Sequence, residues 1–172
     1  MDHAGVDLSL DDVRAVAAFA ADCAELVLPG FEAAVPDDVR PREALDAARA
    51  FAGGGPRTLA QRTTAVAAHR AAKAAPTEVA RLGAQACGDA AAAAYLHPLA
   101  QATQVGHVLR SAACAARVAE LTGSGAGVAE LAGRAGPRVR AVLLRYPTAP
   151  AGRSRPAQLV AELDAAVRDL PG

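Results

Sequence analysis

The chain has 172 residues, enough for one domain with a real core, and its 18 basic and 18 acidic residues cancel. That balance excludes a general electrostatic pull toward nucleic acid or anionic lipid, so neither is expected as a partner, although local charged patches are not excluded. Hydrophobic residues make up 52% of the chain but aromatics only 3%, and Trp is absent.

Alanine supplies most of that apolar share. It has the highest helix propensity, and the usual strand formers are sparse beyond scattered valines. The expectation is therefore an all-α, single-domain helical bundle of about six to eight helices, spanning residues 1–172. Cys23, Cys87 and Cys114 are odd in number, lack CxxC spacing and sit inside helical patterns, so they read as reduced core thiols of a cytosolic protein. The opening MDHAGVDLSL is acidic and poor in apolar residues, which argues against a secretory signal. The richest apolar window, Ala84 to Thr103, is interrupted by Gln85, Asp89, His97, Pro98 and Gln101, so no membrane span is expected.

In chain order, Ser9 with Asp12 forms a capping box that opens a helix from Leu10 to Leu28. Val13, Val16, Ala17, Ala20, Cys23, Ala24 and Val27 make its apolar stripe. Asp11, Arg14, Asp22 and Glu25 share the opposite side, with Arg14 and Asp22 two turns apart and too distant to pair. Pro29-Gly30 is expected to break or kink this helix. Next comes the densest charge cluster, Asp37, Asp38, Arg40 and Arg42. It suits either a structural network that fixes a loop or a surface for a partner. Pro41 suits the first position of a second helix, which carries Ala44, Leu45, Ala48 and Phe51 inward and Arg42, Asp46 and Arg49 outward.

Gly53-Gly54-Gly55-Pro56 stops that helix and lacks the Gly-Lys-Ser/Thr ending of a phosphate loop. Thr58 with Gln61 is a second capping box, opening a helix to about Ala75 that carries Arg62, His69 and Lys73 on one side. Pro76-Thr77 restarts the chain into a helix to about Ala94, whose thin side of Gly83, Cys87, Ala91 and Ala94 lets a neighbour approach closely. Such alanine-lined helices would also suit a homodimer interface. Asp89 is the anomaly, surrounded by alanines on every helical side. It either points to water or is buried with a partner, and His69, Arg62, Tyr95 and His97 are the candidates.

Pro98 is placed to start a long helix running to Gly123. At about 100° per residue, His97, Gln101, Gln104 and Ser111 then share one arc with His107 beside it, opposite Val105, Leu109, Ala112, Ala113 and Ala116. The stretch Tyr95 to Arg110 reads as the polar heart of the bundle. Its internal polar cluster comprises His69, Asp89, Tyr95, His97, Gln101, Gln104 and His107. A metal or small-ligand site built on His69, Asp89, His97 and His107 is the alternative. There is, however, no HExxH, no ExxH pair and no adjacent His-Asp, so no metal, cofactor or catalytic residue is expected. A loop follows from Gly123 to Gly127, then a short helix Val128 to Arg134, a Gly136-Pro137 break and a helix with Val139, Val142, Leu143 and Tyr146. Pro147 to Pro156 is extended, with Arg153 and Arg155 exposed, before a final amphipathic helix with Leu159, Val160, Leu163, Val167 and Leu170 inward.

Three segments carry a family resemblance: VRAVAAFAADCAELVLPGFE from Val13 to Glu32, PDDVRPREALDAARAFAGG from Pro36 to Gly54, and CGDAAAAAYLHPLAQATQVGHVLRSAACAARVAEL from Cys87 to Leu121. LLRYPTAPAGR, Leu143 to Arg153, adds to it. Together they resemble the immunity protein five-like family of bacterial polymorphic toxin systems. The resemblance implies a cytoplasmic, non-enzymatic protein that binds and neutralises a cognate toxin. Asp37, Asp38, Arg40 and Arg42, with Arg14 and Asp22 of the first helix, are the residues expected to meet that toxin.

Overall fold

The computed structural model describes residues 5–171. The reading of the amino terminus as lacking a secretory signal rests partly on residues 1–4, which lie outside the described residues.

Eight α-helices form among the described residues. They are α1 (Leu10–Ala34), α2 (Arg40–Ala52), α3 (Leu59–Ala74), α4 (Glu78–Ala92), α5 (Val105–Thr122), α6 (Val128–Arg134), α7 (Gly136–Leu143) and α8 (Arg155–Arg168). Short 3-10 turns occupy Ala93–Tyr95 and Ala102–Gln104. No strand forms among the described residues; an antiparallel bridge joins Gly5 to Leu99. The all-α expectation stands, and among the described residues no helix is long and apolar enough to cross a membrane.

The helix starts follow from side-chain caps. Ser9 accepts from the Asp12 amide while Asp12 accepts from the Ser9 amide, and Thr58 and Gln61 form the equivalent box on α3. Thr77 caps α4 and Ser154 caps α8. Each cap satisfies backbone amides that the first helical turn cannot.

One proline signal does not break its helix, and another is overridden. Pro29 lies inside α1, which continues to Ala34 instead of breaking. Only the hydrogen bond from position 29 is forfeited, and the last turns bury Leu28 and Phe31, which offsets it. Pro98 does not start a helix; α5 begins seven residues later at Val105. The chain there is instead drawn out against the N-terminal segment, where the Val6 amide donates to the Pro98 carbonyl at 2.9 Å. Pro41 sits second in α2, after Arg40.

α4 is the centre of the bundle, touching α1, α2, α3 and α5. Ten of its fifteen residues are buried, and most of those are Ala or Gly. A helix apolar all round belongs inside a core, and small side chains let its neighbours close in. At Gly83 an added Cβ would stand 2.6 Å from the Val27 carbonyl oxygen, so α1 and α4 meet backbone to side. The thin side formed by Gly83, Cys87, Ala91 and Ala94 is thus covered by other helices of the same chain.

The C-terminal helices are fastened by ion pairs. Arg138 and Arg145 both reach the buried Asp12 carboxylate, at 3.0 and 2.7 Å, tying α7 and the turn after it to the start of α1. Burial works to raise the Asp12 carboxyl, but donors from Arg145, Arg138 and Ser9 outweigh it and hold the group well below the ordinary carboxylate range. Asp164, also buried, accepts from Arg168 and from the Ala149 amide. Arg155 is not free in solvent as expected. It opens α8 and bridges Glu120 and Glu162, whereas Arg153 is exposed.

Cys23, Cys87 and Cys114 are free and buried. Burial pushes the first two thiols up to about 12 and Cys114 higher still. Since the thiolate is the reacting species, native protein at neutral pH is expected to show no fast-reacting thiol to an aromatic disulfide reagent, and three after unfolding in urea. A thiol that reacts at once in the native state would contradict this packing.

Candidate functional site

α3, α4 and α5 each contribute one side chain to a charged constellation around Asp89. His69 from α3 places Nε2 at 3.1 Å from Asp89 Oδ1, and Arg110 from α5 places a guanidinium nitrogen at 3.7 Å from the same oxygen. Asp89 itself is 4% exposed, and its Oδ2 has no hydrogen-bond partner.

Two glycines make room for the flanking groups. A Cβ at Gly88 would lie 2.5 Å from the His69 ring, and one at Gly106 would lie 2.6 Å from the Arg110 guanidinium. His69 therefore rests on α4, and Arg110 folds back over the preceding turn of α5. A cleft of about 400 Å³ opens above Asp89, lined by His69, Ala72, Lys73, Arg81, Gln85 and Arg110. A smaller one of about 220 Å³ lies on the other side of His69, against Arg62, Tyr95 and His107.

The remaining members of the expected polar cluster are dispersed. Because α5 starts at Val105, the arc drawn from His97 through Gln101 and Gln104 to Ser111 does not exist. His97 is exposed and is held through its backbone, its amide donating to Gln104 Oε1 and its carbonyl accepting from the Tyr146 hydroxyl. Gln101 lies half-buried in the extended connection. Gln104 is buried, serving the His97 amide, and Ser111 caps the Ala86 carbonyl from inside the core. Tyr95 donates to the Thr58 carbonyl and stacks with Arg57 and Arg62. Of the candidates for pairing with Asp89, His69 makes the contact. Arg110, Lys73, Arg81 and Gln85 complete the cleft, and the sequence reading had not assigned them to it.

His107 is half-buried beside this group. Burial, and then the nearby Arg110 charge, pull its pKa below the ordinary histidine value, against a smaller opposing effect of Asp89. A histidine depressed in the folded state adds stability that is complete above its unfolded pKa of about 6.5 and is lost as pH falls below that value. His107→Gln is therefore expected to show a smaller drop in melting temperature between about pH 7.5 and 5.5 than the wild type. Equal drops would remove His107 from the account. Among the described residues, no three His, Cys, Asp or Glu side chains gather in a way that could hold a metal ion.

Charge is unevenly divided along the neutral chain. Residues 5–55 carry ten acidic side chains against four arginines, while residues 56–118 carry seven basic against two acidic. The expected toxin-facing charges lie in the first part and, apart from Asp37, are engaged with groups of the fold itself. Arg40 grips Asp38 through both carboxylate oxygens, which holds the Asp38 carboxyl below its usual range. Arg42 pairs with Glu32, and Arg49 bridges Asp22 and Glu25. Arg14 donates to the Gly54 and Gly55 carbonyls and lies over Phe51. Together these bonds lock α1, α2 and the turns around them. Asp37, Glu43 and Asp46 are exposed and stand outside these pairs.

Residues 7–132 match a family described as "Imm-5 like putative immunity protein". No curated protein and no solved structure gives a significant match. The matched region contains α1 to α5, with the acidic α1–α2 face and the whole Asp89 constellation, and it ends within α6. On that match the chain belongs to the Imm-5-like immunity protein family.

Proposed function

We propose that the chain neutralises a cognate toxin of a bacterial polymorphic toxin system, in the cytoplasm, by binding over the toxin's active site without catalysis. Family membership over residues 7–132 is the observation that carries this reading. The α1–α2 face supplies a means. It is acid-rich, and its arginines are spent on internal pairs that hold the carboxylates in place. A preorganised face of net negative charge favours fast capture of a basic surface and loses little entropy on docking. The unengaged Asp37, Glu43 and Asp46 extend this face toward the partner.

The test is co-expression of this chain with the toxin-like product of an adjacent gene in a sensitive host. Restored growth, with the two proteins copurifying as a stable complex, is the expected result. Growth arrest that persists at equal expression, with no complex formed by any neighbouring product, would remove the proposal.

A further inference from the structure

We propose that the cleft over Asp89 is a binding site for a small phosphate monoester bearing an apolar group, separate from the surface that meets the toxin. Three cations, Lys73, Arg81 and Arg110, face it against the single carboxylate of Asp89. Among the described residues, Lys73 makes no hydrogen bond or ion pair with the protein. Arg110 is held only by its 3.7 Å approach to Asp89, whereas Arg81 donates to Gln85 Oε1 at 3.0 Å and stands 3.8 Å from the Glu78 carboxylate. The cleft lining therefore carries more positive than negative charge, and Lys73 and Arg110 keep donors that the protein does not satisfy.

A phosphate monoester carries about −1.5 to −2 at neutral pH and three strong acceptor oxygens, which matches that excess. A peptide carboxylate brings one charge and two oxygens, leaving part of it unmatched. Asp89 supplies the second, independent sign of a ligand. Its side chain is 5% exposed, yet Oδ2 has no donor, and a buried oxygen left in that state is costly. A hydroxyl on the ligand provides the missing donor. Arg110, resting on Gly106 and otherwise loosely held, is able to turn and admit it.

The apolar half is placed by an adjoining trough of about 320 Å³. It shares Gln85 and Arg110 with the polar cleft and is walled by Ala102, Pro150, Pro156, Ala157 and Val160. A phosphate seated at Arg110 would thus direct its organic group into this trough, against the start of α8.

The experiment is calorimetric titration of the full chain with adenosine 5′-monophosphate, phenyl phosphate and inorganic phosphate. At least one of the two esters is expected to bind with one site per chain, about tenfold or more tighter than inorganic phosphate. Arg110→Gln and Lys73→Gln are each expected to weaken that ester about tenfold. Ala102→Leu, which fills the trough, is expected to weaken the ester while leaving inorganic phosphate unchanged. Thermal melting of each variant confirms that the fold is retained, and the salt dependence of wild-type binding gives a readout that needs no variant. Saturation by neither ester would overturn the proposal, as would ester binding that is indifferent to salt and to both substitutions. Inorganic phosphate binding as tightly as the esters would overturn the assignment of the trough. None of these outcomes bears on toxin capture by the α1–α2 face.

Discussion

Asp12→Ala is expected to lower the free energy of unfolding by about 2–3 kcal/mol at neutral pH, the largest effect of any single polar substitution considered. The carboxylate is 5% exposed and serves three parts of the fold at once. It accepts from the Ser9 amide in the α1 capping box, from Arg138 on α7, and from Arg145, which also donates to the Asp7 carbonyl. Removing it leaves two guanidinium groups without their acceptor and the Ser9 amide without its half of the capping box, while Ser9 Oγ still caps the amide of residue 12.

The sign of the pH dependence follows from the depressed carboxyl. Its contribution is complete above the unfolded value of about 4 and is lost as pH falls below that toward its lowered folded value. Urea unfolding at neutral pH and near pH 3 is the appropriate measurement. The difference between wild type and variant should narrow at the lower pH. A loss under about 1 kcal/mol at neutral pH would show that α7 is held by its apolar contacts alone.

Gly83→Ala is expected to cost about 2 kcal/mol, although alanine is the better helix former by about 1 kcal/mol. The new methyl would lie 2.6 Å from the Val27 carbonyl oxygen and 3.4 Å from Phe31 Cβ, so the obstacle is the α1 backbone itself. Gly88→Ala makes an informative companion. Its clash is mainly with the His69 ring, a half-exposed side chain that can move aside, so a smaller loss is expected there. Thermal or urea unfolding of the two variants decides the matter. If Gly83→Ala is as stable as the wild type, the close crossing of α1 and α4 is not what the core depends on.

Local signals were the legible part of this fold. Ser9 with Asp12 and Thr58 with Gln61 announce their helices because each box is closed within four residues. Gly83 and its alanine neighbours marked a close helix contact because side-chain size alone decides how near a backbone can come. The candidate site was half legible. Asp89 stood out as a carboxylate among alanines, and His69 could be named as its partner, since burying such a group demands one.

What failed to show in the sequence depends on distant pairing. Pro98 carries a sound helix-start signal, but the bridge to Gly5 and the donation from Val6 keep that segment extended. The stripe built on His97 and Gln101 fell with it. Arg110 was visible only as the end of the polar stretch that begins at Tyr95. Its approach to Asp89 relies on α4 and α5 crossing and on the vacant face of Gly106, a glycine four residues earlier that was the one available hint. The charges from Asp37 to Arg42 suited either a structural network that fixes a loop or a surface for a partner, and the residues each would grip were not legible. Asp38 and Arg40 close on each other, and Arg42 reaches back to Glu32 on α1, pairings that no spacing rule specifies.

Capture of a protein partner by the acidic α1–α2 face is the central proposal. It is tested most directly by measuring the affinity of the purified chain for the adjacent-gene toxin, alongside the triple variant Asp37→Lys, Glu43→Lys, Asp46→Lys. These three side chains are exposed and outside the internal ion pairs, so the fold should retain its melting temperature. The expected result is a wild-type affinity that weakens as salt is raised, and a loss of about a hundredfold or more in the triple variant. Equal affinities for wild type and variant, in proteins of equal stability, would contradict it.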